Sequence, residues 1–206
     1  MKLIDLSHTF SENMPVYPGD TPPRFSQVAD YSKEGYFGFR LNTSMHVGTH
    51  IDAPFHMLPN GKRLSEINIE KFFGKGVLLD GRGKEKIDVD LLNGKKVDNQ
   101  SIILIMTGWS KKFGKEEYYK NFPELTEDFA KKFVEDKVKI IGMDTPSPDN
   151  YPYKVHKILL EKEILIIENL TNLDSLIGLN DFEIIALPTK FYADGAPIRV
   201  IARIRN

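Results

Sequence analysis

Residues 101–108 read "SIILIMTG", and the apolar part of the stretch has no period. An amphipathic helix would interrupt it with a polar residue every third or fourth position, and a half-wet strand would alternate. A short, continuous, β-branched run is instead a strand buried on both faces, and such strands need a covering layer on each side. "ILII", inside the stretch "EILIIENL" (163–170), reads the same way. These two runs point to an α/β fold.

Further strands are expected at "KLIDLS" (2–7), "FGFRLNTS" (37–44), "GVLLDG" (76–81), "VKIIGMD" (138–144), "EIIALP" (183–188) and "PIRVIARI" (197–204). In "FGFRLNTS" Phe37, Phe39 and Leu41 alternate with other residues, so one face is expected to be wet. "TEDFAKKFVEDK" (126–137) predicts a helix, with Thr126 as N-cap, acids in the first turn and Phe129, Ala130, Phe133 and Val134 on one face. Helices are also expected at 110–121, 153–163 and 64–73. The early strands follow one another, which argues for a mixed sheet with packed helices. Segment 81–100 is charged and reads as a surface excursion. "SENMPVYPGDTPP" (11–23) holds four prolines and reads as a long, stiff loop, a kind of segment often functional. No repeat, low-complexity tract or linker divides the chain, so residues 1–206 are read as one domain.

Composition narrows the function. Lys plus Arg number 28 against 29 Asp plus Glu, a balance that gives no sign of a nucleic-acid surface. Cysteine is absent, which excludes disulfides, thiolate metal sites and thiol nucleophiles. The first residues, "MKLIDLSHTF", lack the apolar core of a signal peptide, and no run approaches membrane-spanning length. The expectation is a soluble, cytoplasmic protein.

Three of the five histidines fall within "HVGTHIDAPFH" (46–56), together with Asp52. A helix through this stretch would meet Pro54 at a cost of about 3 kcal/mol. An extended chain turns His46, His50, Asp52 and His56 to one side. A straight strand, however, holds His46 and His50 roughly 13 Å apart, beyond comfortable reach of one ion. A bend at Gly48 is therefore expected. Two imidazoles and a carboxylate suit Zn(II), Mn(II) or Fe(II), and without cysteine an open catalytic site is favoured over a closed structural one. A hydrogen-bonded core cluster and a metal-free acid–base site are the alternatives. His8, isolated from the cluster, is read as structural.

The stretch also matches the H-x-G-T-H-x-D-x-P-x-H signature, and so resembles the cyclase family of metal-dependent hydrolases. That family includes bacterial kynurenine formamidases, isatin hydrolases and proteins named as polyketide cyclases. "IDLSHTFSENMPVYPGDTPP", "TGWS" (107–110), "GMDTPSPD" (142–149), "HKILLEKEILIIENLTNL" (156–173) and "FYADGAPIRVIA" (191–202) are similar to its other blocks, in the same order. The resemblance implies a swivelling β/β/α domain and a homodimer or larger oligomer. It implies that His46, His50 and Asp52 bind one metal ion, and that Asp52 bridges to a second held by His156 and Glu168. The ion would be zinc, two per chain, as in kynurenine formamidases, or manganese, as in isatin hydrolases. His56 would be the catalytic acid/base and not a ligand. Kynurenine formamidases of the family commonly carry Trp before "PGD"; here Tyr17 stands there and is expected to line the substrate pocket.

Read from the residues alone, Glu168 closes an apolar strand, where a carboxylate is costly unless paired or metal-bound. Asp144 and Ser147 are either turn residues or supports for the site. The serines of "TGWS" and "TPSPD" lack a G-x-S-x-G elbow, so a serine hydrolase is not expected. The expected activity is hydrolysis of a small aromatic amide, N-formylkynurenine first, by metal-activated water. The rivals are an isatin-type lactam hydrolase or another cyclase and, from a different class, a non-catalytic metal-binding module.

Overall fold

A computed structural model describes residues 1–204. In chain order the strands are β1 (Lys2–Asp5), β2 (Arg24–Ala29), β3 (Gly38–Asn42), β4 (His50–Asp52), β5 (Phe73–Asp80), β6 (Lys86–Ile87), β7 (Ser101–Met106), β8 (Glu124–Leu125), β9 (Ile140–Met143), β10 (Leu165–Glu168), β11 (Phe182–Ile185), β12 (Gly195–Pro197) and β13 (Ile201–Ile204). The α-helices are α1 (Tyr31–Glu34), α2 (Glu127–Glu135) and α3 (Lys154–Glu161).

Nine strands form one mixed sheet in the order β1-β13-β11-β5-β7-β9-β10-β4-β12. The middle run β5-β7-β9-β10 is parallel and the flanks are antiparallel. Every residue of β7 and of β10 is buried, as their unbroken apolar runs require. Phe129, Phe133, Leu159 and Leu160 of α2 and α3 cover one face of the sheet, packing on Leu79, Ile103, Ile141 and Ile166. The other face closes over a second core that includes Leu6, Ile102, Leu104, Ile167 and Phe182.

The sheet curls until its two flanks meet. Ser7, just past β1, forms a bridge with Leu170, just past β10. The chain also passes from β12, on one edge, to β13, next to the other, across residues 198–200 alone. Curling of this degree removes most of the exposed edge and gives the inner face its own core.

The expected strands are present, with one division. Of "PIRVIARI" only Ile201–Ile204 forms a strand of its own, β13, while Pro197 ends β12; between them Ile198 N–H donates to Thr49 O and Val200 O accepts from Leu6 N–H, which ties the stretch to opposite flanks. The helix expected over 126–137 is α2, capped by the Thr126 hydroxyl at Phe129 N–H. The helix expected over 153–163 is α3, with Tyr153 at its start in a left-handed conformation. The helices expected over 64–73 and 110–121 are instead pairs of 3-10 turns, Leu64–Glu66 with Ile69–Phe72 and Trp109–Lys112 with Glu116–Tyr119. Phe72 and Tyr118 are their buried anchors, and a single turn suffices to place each. Segment 81–100 lies largely on the surface, but Ile87 is fully buried, because β6 pairs with β8 beside α2. Strand β2 was not anticipated; its sequence, "RFSQVA", carries too few apolar residues to announce itself.

Candidate metal centre

The eleven-residue stretch makes the bend that its ligand chemistry demands. Gly48 takes φ +64°, open to glycine at no steric cost, and a Cβ there would lie 2.4 Å from Met14 Cε. Beyond the bend, His50 and Asp52 enter β4, which pairs with β10, so that His50 lies opposite Glu168. Pro54 then opens the 3-10 turn Pro54–His56, which turns His56 toward His46, their rings 3.9 Å apart. His156, in the first turn of α3, completes the group. The site sits beyond the C-terminal ends of β9 and β10, where open α/β sheets form their ligand crevices.

Asp52 is at the centre. Its Oδ1 is 2.8 Å from His46 Nδ1 and 3.5 Å from His50 Nε2, and its Oδ2 is 3.8 Å from His156 Nε2. Glu168 spans the other side, with Oε2 3.3 Å from His50 Nε2 and Oε1 3.3 Å from His156 Nε2. His50, Asp52, His156 and Glu168 are all buried. The structure thus gathers the five residues that the family resemblance assigns to metal, from segments up to 122 positions apart (His46 to Glu168).

Donor chemistry and satisfaction both fit a transition-metal ion. His50 Nε2 and Asp52 Oδ2 are buried without a hydrogen-bond partner; the carboxylate oxygens near Nε2 lie at ion-pair distance without hydrogen-bond alignment. Buried polar atoms left unpaired are costly, and an imidazole nitrogen and a carboxylate oxygen in one buried cluster are the donor types a transition-metal ion takes. The second nitrogen of each histidine is already used. His50 Nδ1–H donates to Gly48 O at 2.8 Å, and His156 Nδ1–H to Asp149 Oδ1. These bonds fix the tautomer that presents Nε2 to the cluster.

Electrostatics follow the pairing. Burial opposes the charge on His46, yet Asp52 and Asp194 raise it to about 10. His156 is likewise raised to about 10, against burial, by Asp149, Glu168 and Asp52. Burial would raise Asp52 and Glu168, but the histidines around them hold both below the carboxylate range. The metal-free cluster therefore keeps protons where a cation would otherwise sit.

Sequence reasoning missed three supports. Asp194 joins His46 Nε2, at 2.9 Å, to His56 Nδ1, at 3.3 Å. Asp149 accepts from Val155 N–H as well as from His156, locking the start of α3. Asn169 stands in the left-handed region at φ +57°. Its side-chain amide donates to Gly48 O and its Oδ1 accepts from Tyr118 OH, while its backbone carbonyl accepts from Thr49 Oγ1, so one residue pins the bend under His50. Asn169 follows Glu168 and Asp149 lies two residues past Ser147, but only the fold shows what they touch.

Other expected residues are also placed. Asp144 is buried and accepts from Thr107 N–H and Oγ1–H and from Gly108 N–H, so it anchors residues 107–110. Ser147 donates to Asp149 O, and its residue lines the cavity. His8 stacks on Phe113 at 3.7 Å and is lowered to about 4 by burial, in keeping with a structural role. His46, His56 and Asp52 also offer atoms within 4.8 Å of one another, so His56 stands at ligand distance although the family resemblance makes it an acid/base. A cavity of about 250 Å³ opens over the cluster, and Tyr17, Tyr119, Tyr153 and Met57 are among its walls. The Tyr17 and Tyr119 rings meet edge-on at 5.7 Å.

Comparisons with known proteins agree with this geometry. Residues 4–150 match the model of the family described as "Putative cyclase". The chain is 34% identical over 207 residues to kynurenine formamidase of Bacillus cereus, covering 97% of this chain and 96% of that protein. It is 32% identical over 206 residues to kynurenine formamidase of Geobacillus thermodenitrificans, with the same coverage. Among solved structures, isatin hydrolase A from Labrenzia aggregata superposes with a TM-score of 0.87 at 24% identity, over 100% of this chain and 94% of that one, a likeness of fold. A structure described as a potential metal-dependent hydrolase with cyclase activity gives a TM-score of 0.84 at 25% identity, over 100% and 98%. With likeness running the length of the chain and the signature folded into one buried cluster, this chain belongs to the cyclase family of metal-dependent hydrolases.

Proposed function

We propose that this protein is an arylformamidase-like amide hydrolase whose substrate is N-formylkynurenine or a close aryl amide. The observation that carries the reading is the buried His–Asp–Glu cluster, with two unpartnered donor atoms, at the floor of a small cavity with tyrosine walls. The names of the relatives supply the substrate class.

In this reading His46, His50 and Asp52 would hold one zinc ion, and Asp52, His156 and Glu168 would hold a second, with manganese as the alternative metal. A bound ion of this kind brings the pKa of water near neutrality and polarises a carbonyl. Hydrolysis adds water's oxygen to the formyl carbon, breaks the C–N bond and delivers a proton to the departing nitrogen. His56 carries that proton. Asp194 holds its Nδ1, which leaves Nε2 to exchange with water and with the amine. Tyr17 and Tyr119 supply an apolar edge against which an aryl ring packs.

We further propose that the chain works as a homodimer in the cytoplasm, on the swivelling β/β/α scaffold of its family. Support for the dimer comes from the ribbon β2–β3 and α1, where Tyr31, Tyr36, Phe37 and Phe39 are each at least 60% exposed. Val28 and Leu41 of the same ribbon are about half exposed as well, and large apolar and aromatic side chains of this kind are what protein interfaces cover. Among the described residues no helix is long and apolar enough to cross a membrane.

The reading is tested by assaying purified protein, with its metals measured, against N-formylkynurenine and isatin. Metal-dependent release of formate from N-formylkynurenine at a higher kcat/KM than isatin opening is the expected result. Preference for isatin would move the assignment to a lactam hydrolase. No turnover of either by metal-loaded protein would favour the non-catalytic binding module.

A further inference from the structure

Chemistry occupies the floor of the cavity; the mouth, formed by the loop 15–20, Tyr119 and Tyr153, has no role in it. Asp20 stands at this mouth. Its backbone N–H closes a turn on Tyr17 O at 2.9 Å, with Gly19 at φ +100°. Its exposed carboxylate makes no ion pair or hydrogen bond among the described residues. Its charge nevertheless reaches both aromatic walls. Burial first, then Asp20 and Glu168, raise the Tyr119 hydroxyl, and both carboxylates also contribute to raising Tyr17. The aromatic pair thus lies within the field of both carboxylates. Among the described residues no lysine or arginine lines the cavity, and its imidazoles belong to the cluster on the floor, so Asp20 meets no cationic side chain at the mouth.

We infer that Asp20 is a specificity-determining residue that receives an ammonium group carried by the aryl substrate, at the end remote from the scissile amide. The inference rests on the aryl-formamidase reading of the site. N-formylkynurenine carries an ammonium and a carboxylate on the same carbon, away from its formamide. At the mouth Asp20 is a partner for the first, and no lysine or arginine among the described lining residues is there for the second, which is left to water. The preferred class is therefore an aryl formamide with a cationic arm, and the substrate's carboxylate contributes little.

Four formamides separate the charges: N-formylkynurenine, its decarboxylated amine, its deaminated acid and neutral formanilide. The metal-loaded protein should process the decarboxylated amine with a kcat/KM within about threefold of N-formylkynurenine, and the deaminated acid about tenfold less well. Asp20→Asn keeps the turn but removes the charge. It should shrink the preference for amine-bearing over neutral substrates by about five- to twentyfold, through KM rather than kcat, and Asp20→Glu should restore most of it. An unchanged ratio in Asp20→Asn, or a preference for the deaminated acid, overturns the inference and leaves the formamidase reading standing. If the wild type hydrolyses none of the four, the reading of the reaction fails and this inference falls with it.

Discussion

His50 and His56 show how one imidazole becomes a ligand and another a proton carrier. The buried Nδ1 of His50 is spent on Gly48 O, and its Nε2 has no hydrogen-bond partner. His56 is half-buried and shares Asp194 with His46. His50→Ala should therefore abolish metal retention, measured by elemental analysis after gel filtration. His56→Ala should keep most of the metal and lower kcat by about 10²–10⁴-fold, the usual effect of a positioned acid/base. Because His56 also stands within ligand distance of His46 and Asp52, the pair of variants is decisive. Equal metal loss from both would make His56 a ligand and leave the proton step without a carrier.

At the scale of elements, the ribbon β2–β3 departs from the economy of the rest of the fold. The nine-stranded sheet buries its apolar runs, whereas Phe39 and Leu41 of β3, with Phe37 just before it, face water. An alternating strand normally turns that set inward. Clustered exposed apolar side chains mark interaction surfaces. The double variant Phe37→Asp, Phe39→Asp should convert a dimer to a monomer in light scattering. The melting temperature at high protein concentration should fall with it, since association stabilises by mass action. A wild type that is already monomeric at micromolar concentration would remove the argument.

Over the whole molecule, proton and metal compete for the same cluster. In the metal-free protein His46 and His156 titrate near 10, against about 6.5 for a free imidazole. A raised folded-state value gives stability that is complete below about pH 6.5 and is lost as pH rises toward about 10. Melting temperatures of chelator-treated protein should accordingly fall between those limits. Metal binding needs neutral imidazoles, so its affinity should rise over the same range. Loading at pH 7 should release protons, seen as a dependence of calorimetric enthalpy on buffer ionisation heat. An ion at about 100 times its Kd should add about 2.7 kcal/mol of stability. Loading without proton release would contradict the raised imidazole values, and a chelator without effect on the melting of metal-loaded protein would contradict the cluster's assignment as a metal centre.

Local physics was legible in the chain. The unbroken runs of β7 and β10 announce strands covered on both faces, Thr126 announces the start of α2, and Gly48 announces the bend that lets His46 and His50 approach. The signature from His46 to His56 is a run of neighbours, so the sequence alone was enough to mark it as a site. What tertiary structure alone decided is everything that depends on distant segments meeting. Asp194 comes between His46 and His56 only because β12 pairs with β4, and Glu168 faces His50 only because β10 does so on the other side. Asn169 reads as a strand-end residue until the fold brings Gly48, Thr49 and Tyr118 around it. The division of "PIRVIARI" has the same origin, since its halves join opposite flanks of a curled sheet. Periodicity, capping and turn chemistry act over a few residues, whereas strand order and closure are set by the packing of whole cores.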